Sequence, residues 1–316
     1  MSAVLSLSAL SFLIVACLTP ILIWALRTMK LTQPIRKEMY ADIQAKRGTP
    51  LMAGLIFLIG AAASLSHDPS PLSVFLTLSF VLFSLIGFID DFSKAYYQDP
   101  AGISSRTKLL LQFPAAAALL LFLYRSIGVS PDIALLNGYQ LQMSPMLYIV
   151  TILLFVVGSA NAINFTDGLD GLLPVVAIPT YFFFFAISDR IEVQMFSLTM
   201  AACLLGFLIY NIFPAKAFMG DTGSLAIGAS LAFLAVIEKV EILVPVLFFI
   251  YFAEQCSVIL QIRYYKKTGK RLFKMAPVHY HFILKYGWSE NKLVIVFGAV
   301  SWGCALTSWL LWKYAL

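Results

Sequence analysis

Charge is scarce in this chain. Only 12% of its 316 residues are Asp, Glu, Lys or Arg, and just three are histidine. Against this stand 60% hydrophobic residues and a mean hydropathy of +0.87. That is more apolar side chain than one water-facing core can hide, so a soluble globular fold is excluded and a bilayer is the expected solvent. Cysteine is also sparse: Cys17, Cys203, Cys256 and Cys304 all fall inside apolar runs without paired spacing. This argues against a disulfide framework or a zinc site and leaves core packing as their expected role. Neither a fixed-period repeat nor a low-complexity tract is present, which argues against a transporter built from two related halves. The longest polar stretches are loops at about 27–50, 90–106 and 263–291, so one membrane domain over 1–316 is expected. The first apolar run has no basic cluster ahead of it and no small-residue cleavage site behind it, so it is expected to remain as a helix.

A spanning helix needs roughly 20 mostly apolar residues, because lipid offers no partner for an unpaired N–H or C=O. By that rule the sequence predicts an all-α polytopic protein with ten spans, at about 4–26, 51–66, 71–89, 107–125, 142–160, 172–187, 193–212, 222–237, 242–262 and 292–312. The formal charge of +6 could suggest nucleic acid, but the placement of the basic residues is more informative than their sum. With both termini outside, 18 of the 22 Lys and Arg residues fall in cytoplasmic loops or span ends, among them Arg36, Lys37, Arg47 and the run from Arg263 to Arg271. Arg125, Arg190, Lys239 and Lys313 are the exceptions. This is the asymmetry of a positive-inside membrane protein, and the basic run reads as a headgroup-contacting surface. Pro245, early in the ninth span, is expected to bend it.

Ionisable groups at membrane depth are costly and mark function when they face a cavity. Here they gather on one side. The third span is predicted to end at Asp90-Asp91, where helix carbonyls disfavour carboxylates and a cation is required; a solvated turn is the plain alternative. Adjacent helical positions diverge by about 100°, so these two carboxylates serve different purposes. The fifth span leads into Asn161, Asn164, Asp167 and Asp170. Asp167 and Asp170 share a face if that segment is helical, and the asparagine amides suit a sugar, a phosphate or metal-bound water; a capped turn is the alternative. Asp221 opens the eighth span, either as its N-cap or as a functional carboxylate following the tight polar loop Asn211-Ile-Phe-Pro-Ala-Lys216-Ala-Phe218. Few carboxylates with room for water and phosphate is the pattern of Mg2+. The last loop carries His279 and His281 at spacing two; His67 is predicted on the opposite face, so zinc is disfavoured and phosphate or sugar binding preferred.

In order and in placement, Asp90-Asp91, Asn161 to Gly171, Asn211 to Ser224 and the His279 loop resemble the polyprenyl-phosphate N-acetylhexosamine-1-phosphate transferases. The likeness runs from about residue 33 to 288. Gln33-Pro-Ile-Arg36, Lys46-Arg-Gly-Thr-Pro50, Phe218-Met-Gly-Asp-Thr-Gly-Ser and Lys274-Met-Ala-Pro-Val-His-Tyr-His-Phe favour the branch with a muramoyl-pentapeptide donor. The related N-acetylglucosamine enzymes tend to carry His-x-His-His without the preceding Met-Ala-Pro. Two features depart from the pattern: Tyr280 interrupts the usual triple histidine, and the Gly-Pro and His expected between Arg36 and Lys46 are absent.

The resemblance implies a Mg2+-dependent enzyme of the bacterial cytoplasmic membrane. It would move phospho-MurNAc-pentapeptide from UDP-MurNAc-pentapeptide to undecaprenyl phosphate, giving UMP and the lipid I of peptidoglycan synthesis. It further implies Mg2+ at Asp221, a catalytic pair in Asp90 and Asp91, and phosphate contacts from Lys46, Lys94 and Lys108. Asn161, Asn164, Asp167, Asp170, Asn211 and Phe218 would line the nucleotide site with Phe218 near the uracil, and His279 and His281 would sit by the sugar-phosphate. In such a mechanism Asp90 takes a proton from the lipid phosphate or orients it; a covalent phospho-sugar on Asp91 is the other route. Membrane lipids are the surroundings, nucleic acid is no partner, and a homodimer is one possible assembly. Two rival functions are a UDP-N-acetylglucosamine transferase and, from another class, a secondary transporter, whose site belongs at midplane.

Overall fold

A computed structural model describes residues 2–34, 46, 48–67 and 69–316. Arg36, Lys37 and Arg47, expected on the cytoplasmic side, lie outside the described residues. The chain runs through α1 (Ser2–Thr28), a 3-10 turn (Ala53–Phe57) leading into α2 (Leu58–His67), α3 (Pro71–Tyr97), α4 (Ser105–Phe122), α5 (Pro145–Thr166), α6 (Leu172–Ile187) and α7 (Ile191–Asn211). It continues through α8 (Gly220–Ile237), α9 (Val244–Leu247), α10 (Phe249–Thr268), α11 (Val278–Tyr286) and α12 (Glu290–Ala315). The all-α expectation holds apart from a small antiparallel hairpin between α4 and α5, in which Asp132 pairs with Gln142 and Ala134 with Gln140.

Helix starts are written locally. Ser70, Ser104, Ser144 and Ser289 each accept a hydrogen bond from the backbone N–H three residues on, and Pro71 and Pro145 occupy first-turn positions where no N–H is needed. Each of the ten predicted spans coincides with an apolar helix or helix pair. Among the described residues, seven helices, or eight with one bent pair, are long and apolar enough to cross a membrane; Ala53–His67 and Leu172–Ile187 are shorter. The bend in the ninth segment is 75°, between Glu241–Leu247 and Phe249–Thr268. It falls at Phe248, because Pro245 sits in the first turn of α9, where a missing donor costs nothing. The cysteines correct another expectation: Cys203 is buried, whereas Cys17 and Cys256 lie on the outer surface, and all four thiols are free.

At the centre stands α8, every residue of which is buried. Small side chains allow this, since without water to drive apolar faces together, membrane helices associate by close backbone approach. A Cβ at Gly228 would lie 2.6 Å from Ala160 Cα in α5, and one at Gly87 would lie 2.0 Å from the Asp221 carbonyl oxygen, so α3 and α8 touch backbone to backbone. Long helices reverse direction one after another. The ends of α3, α5 and α7 therefore meet the starts of α4, α6, α8 and α12 at one end of the bundle, linked by Lys108–Asp90, Asn164–Asp221, Gly171–Asn211 and Lys46–Glu290 contacts. The outer ends of α1 and α12 point the other way, where the hairpin and Lys239 lie, with Lys239 Nζ 3.6 Å from Glu241.

Gly87→Ala must push α3 off α8. The expected result is a loss of stability of about 1–3 kcal/mol, typical of overpacking, read as a lower melting temperature in detergent. Gly303→Ala, with nothing within 4 Å of the added carbon, should melt like the parent, and equal melting of the two variants would refute the close-approach account.

Candidate active site

Three carboxylates that are far apart in sequence meet where α3 touches α8. Suitably chosen oxygens of Asp90, Asp91 and Asp221 lie within 4.8 Å of one another. Asp90 and Asp91 are 0% exposed and Asp221 only 8%. Removing an ion from water costs several kcal/mol unless a partner compensates, and two lysines do so. Lys94 Nζ lies 2.6 Å from Asp90, 3.1 Å from Asp221 and 3.6 Å from Asp91. Lys108 Nζ lies 2.9 Å from Asp90 and in direct contact with Asp221. The sequence suggested that the helix ends at Asp90-Asp91; instead α3 continues to Tyr97, and that extension brings Lys94 back over both carboxylates one turn later.

The neighbouring pair is divided in its attachments. Asp90 accepts from the Ile103 N–H at 2.8 Å and from Lys108, so it faces the loop into α4. Asp91 Oδ2 accepts from the Thr222 N–H at 2.8 Å and hydroxyl at 2.7 Å, so it faces α8. Asp221 is not a cap: Met219 holds the N-cap position, and the Asp221 carboxylate accepts from Asn164 Nδ2 at 2.7 Å. Among the described residues Asp91 Oδ1 has no hydrogen-bond partner. Three clustered hard oxygen ligands with one acceptor to spare fit a divalent cation such as Mg2+, with the lysines sharing the charge compensation.

Among the described residues, two cavities border this cluster and a third adjoins one of them. A central one of about 450 Å³ is lined by Asp91, Lys94, Asn164, Asp167, Phe218 and Asp221, and further by Lys46, Asp170 and Tyr280. A groove of about 580 Å³ on the other side of the cluster is lined by Asp90, Lys108 and Asn161 together with apolar Leu109, Phe113 and Leu154. A third, of about 540 Å³, opens beyond Lys46. Asn161 thus faces the apolar groove and not the central cavity; its Nδ2 donates to Gln112 Oε1 at 2.7 Å.

Segment 167–171 is a turn after α5, not the helix that would have put Asp167 and Asp170 on one face. Asp170 is buried, bonded to Lys46 Nζ at 2.7 Å and to the Ala215 N–H at 2.8 Å. Lys46 also reaches Glu290, at 2.8 Å. Asp167 lines the central cavity. Burial, with the charges of Asp221, Asp91 and Asp170 behind it, holds its carboxyl well above the usual range. Asn211 lines none of these cavities. It is buried behind the turn, accepting from the Gly171 N–H at 3.1 Å and donating to Ala217 O at 2.9 Å, and so brackets two site loops.

The histidine loop divides in a way the spacing did not reveal. His279 is fully buried, with Nδ1 3.1 Å from Glu254, and a Cβ on Gly168 would lie 2.4 Å from its Nε2. It therefore supports the 167–171 turn from behind. His281 points elsewhere, accepting from the Lys274 N–H at 3.0 Å; burial, then Lys285 and Lys274, lower its imidazole. Between them Tyr280 reaches the cavity and donates to Gly168 O at 3.0 Å. Glu254, Gln112 and Glu290 were not anticipated. Glu254 had a signal in the sequence, an acidic residue within an apolar run; Gln112 and Glu290 had none apart from the fold.

The family model for glycosyl transferase family 4 matches residues 73–239, the region that carries the carboxylate cluster. Similar over nearly their whole lengths are three proteins named phospho-N-acetylmuramoyl-pentapeptide-transferase. That of Clostridium beijerinckii is 39% identical over 95% of this chain and 94% of its own. That of Clostridium perfringens strain 13 is 39% identical over 92% and 93%. That of Halalkalibacterium halodurans is 38% identical over 92% of each chain. With its acidic cluster inside the matched region and its length matched almost end to end, the chain belongs to glycosyl transferase family 4, among the phospho-N-acetylmuramoyl-pentapeptide-transferases.

Proposed function

We propose that this multi-pass membrane protein transfers phospho-MurNAc-pentapeptide from UDP-MurNAc-pentapeptide to undecaprenyl phosphate, forming lipid I and UMP at the cytoplasmic face of a bacterial inner membrane. The observation that carries this reading is the convergence of Asp90, Asp91 and Asp221 with Lys94 and Lys108. They meet between a polar cavity and an apolar groove. The bias of Lys and Arg toward one side supports the cytoplasmic assignment. A midplane transporter site is disfavoured by carboxylates gathered at one end of the bundle.

In this scheme an oxygen of the lipid phosphate attacks the phosphorus bonded to the sugar. The bond from that phosphorus to the bridging oxygen breaks, and the electron pair leaves with UMP. Asp90, on the groove side, orients the lipid phosphate or takes its proton. Lys94 and Lys108 neutralise phosphate oxygens brought between them, since phosphoryl transfer is catalysed chiefly by positioning and charge compensation. Asp221, flanked by Asp90 and Asp91, would hold Mg2+. Bound there, Mg2+ supplies further neutralisation of the diphosphate. Asn164 fixes the Asp221 carboxylate, Asn161 borders the acceptor groove, Asp167 and Phe218 contact the nucleoside, and Asp170 fixes Lys46 at the cavity wall. Asn211 and His279 act through the loops they brace; His281 serves the outer edge of the same loop.

Purified protein given polyprenyl phosphate, UDP-MurNAc-pentapeptide and Mg2+ should release UMP, with little release from UDP-N-acetylglucosamine; the opposite preference would move the chain to the sister activity. Asp221→Ala should lower kcat by about 100-fold or more, the scale of losing a charge-stabilising group, and ordinary turnover at the same Mg2+ would remove its assignment. Lys46→Ala is expected to raise the donor KM with kcat largely kept, because Lys46 stands away from the reacting centre; an unchanged KM would place the phosphate contact elsewhere.

A further inference from the structure

The third cavity, about 540 Å³, has no part in the scheme above. It shares Lys46, Leu169, Asp170 and Tyr280 with the central cavity, so the two border each other at these four residues. It shares no lining residue with the apolar groove. The central cavity therefore lies between the other two, with the carboxylate cluster where it meets the groove.

The outer cavity has the character of a binding site for an uncharged or mixed chain. Phe213 and Pro214 from the loop after α7, Ile283 of α11, and Trp288 ahead of α12 give it apolar and aromatic walls. Ser289 and Asn291 stand exposed at its edge and give it a polar rim. The charges at its inner end are already paired, Lys46 holding Asp170 at 2.7 Å and Glu290 at 2.8 Å. Trp288 is fixed in place, its ring centroid 4.9 Å from that of Phe282.

A donor held by its diphosphate at the carboxylate cluster has two arms to accommodate. Phe218 and Asp167, the groups proposed for the nucleoside, line the central cavity only. The lipid acceptor requires the groove, which is the space with Leu109 and Leu154 exposed at its edge. What remains is the arm beyond the sugar, and among the described residues the outer cavity adjoins the central one at Lys46, Leu169, Asp170 and Tyr280 and is taken by neither of the other two groups. We infer that the outer cavity is the subsite for the peptide arm of the donor, with Trp288, Phe213 and Tyr280 packing against it. This rests on the proposed transfer reaction and adds to it the element that selects a peptide-bearing sugar nucleotide over a bare one. Aromatic side chains are suited to the task because they present large contact area at little conformational cost.

Binding of UDP-MurNAc-pentapeptide and of UDP-MurNAc to full-length protein in detergent, measured by calorimetry, tests this. Trp288→Ala and Phe213→Ala should each weaken the pentapeptide donor by about tenfold, the scale of truncating an aromatic anchor, and leave UDP-MurNAc binding close to that of the parent. Phe213 is 46% exposed, so its loss leaves the packing intact. A selective loss in either variant supports the subsite. Equal losses for the two ligands in both variants, or no loss in either, would overturn it while the transfer reaction stands. A parent protein that neither binds the pentapeptide donor nor transfers from it would overturn both.

Discussion

Three carboxylates buried at the contact of α3 and α8 set the terms for everything around them. An uncompensated carboxylate in such surroundings costs several kcal/mol, and here three are packed within a few ångströms. The fold answers with two ammonium groups, one from the same helix a turn further on and one from the start of α4. Hydrogen bonds from Thr222, Asn164 and the Ile103 N–H take up other oxygens. Formally, among the described residues, three negative charges face two positive ones, which leaves the cluster short of a cation. In the proposed reaction a divalent ion and a diphosphate would bind there together, each supplying charge the other lacks.

This arrangement depends on a backbone contact. Helix α8 is surrounded on every side, and its glycines and alanines let α3 and α5 approach closely enough to present Asp90, Asp91 and Asn164 to Asp221. Packing and chemistry are thus the same contact seen at two levels. The small residues that bring membrane helices together also set the spacing of the carboxylates.

Contacts behind the cavity hold the loops. Asn211 ties the turn after α5 to the loop before α8, and His279, backed by Glu254, fills the space that the missing side chain of Gly168 leaves. Neither Asn211 nor His279 lines the central cavity, yet both determine where Asp167, Asp170 and Tyr280 stand. Polar residues in a signature therefore fall into two kinds, those that touch the cavity and those that brace what touches it. Lys46 joins the kinds, lining the cavity while locking Asp170 to Glu290 across the chain.

The amino-acid sequence carried the class of fold, the places of its apolar helical segments and the three carboxylates that the fold gathers, because burying apolar length in lipid and excluding stray charge are constraints that act residue by residue. It carried the family as well, through short motifs whose order is preserved. The tertiary structure alone decided the rest. It extended α3 past Asp91 so that Lys94 returns to the carboxylates, made 167–171 a turn, and moved the bend of the ninth segment from Pro245 to Phe248. It also turned His279 inward and His281 away, and put Tyr280 on the cavity. These outcomes depend on contacts between segments tens to hundreds of residues apart. Local spacing says which side chains share a helix face, but only packing says what that face meets.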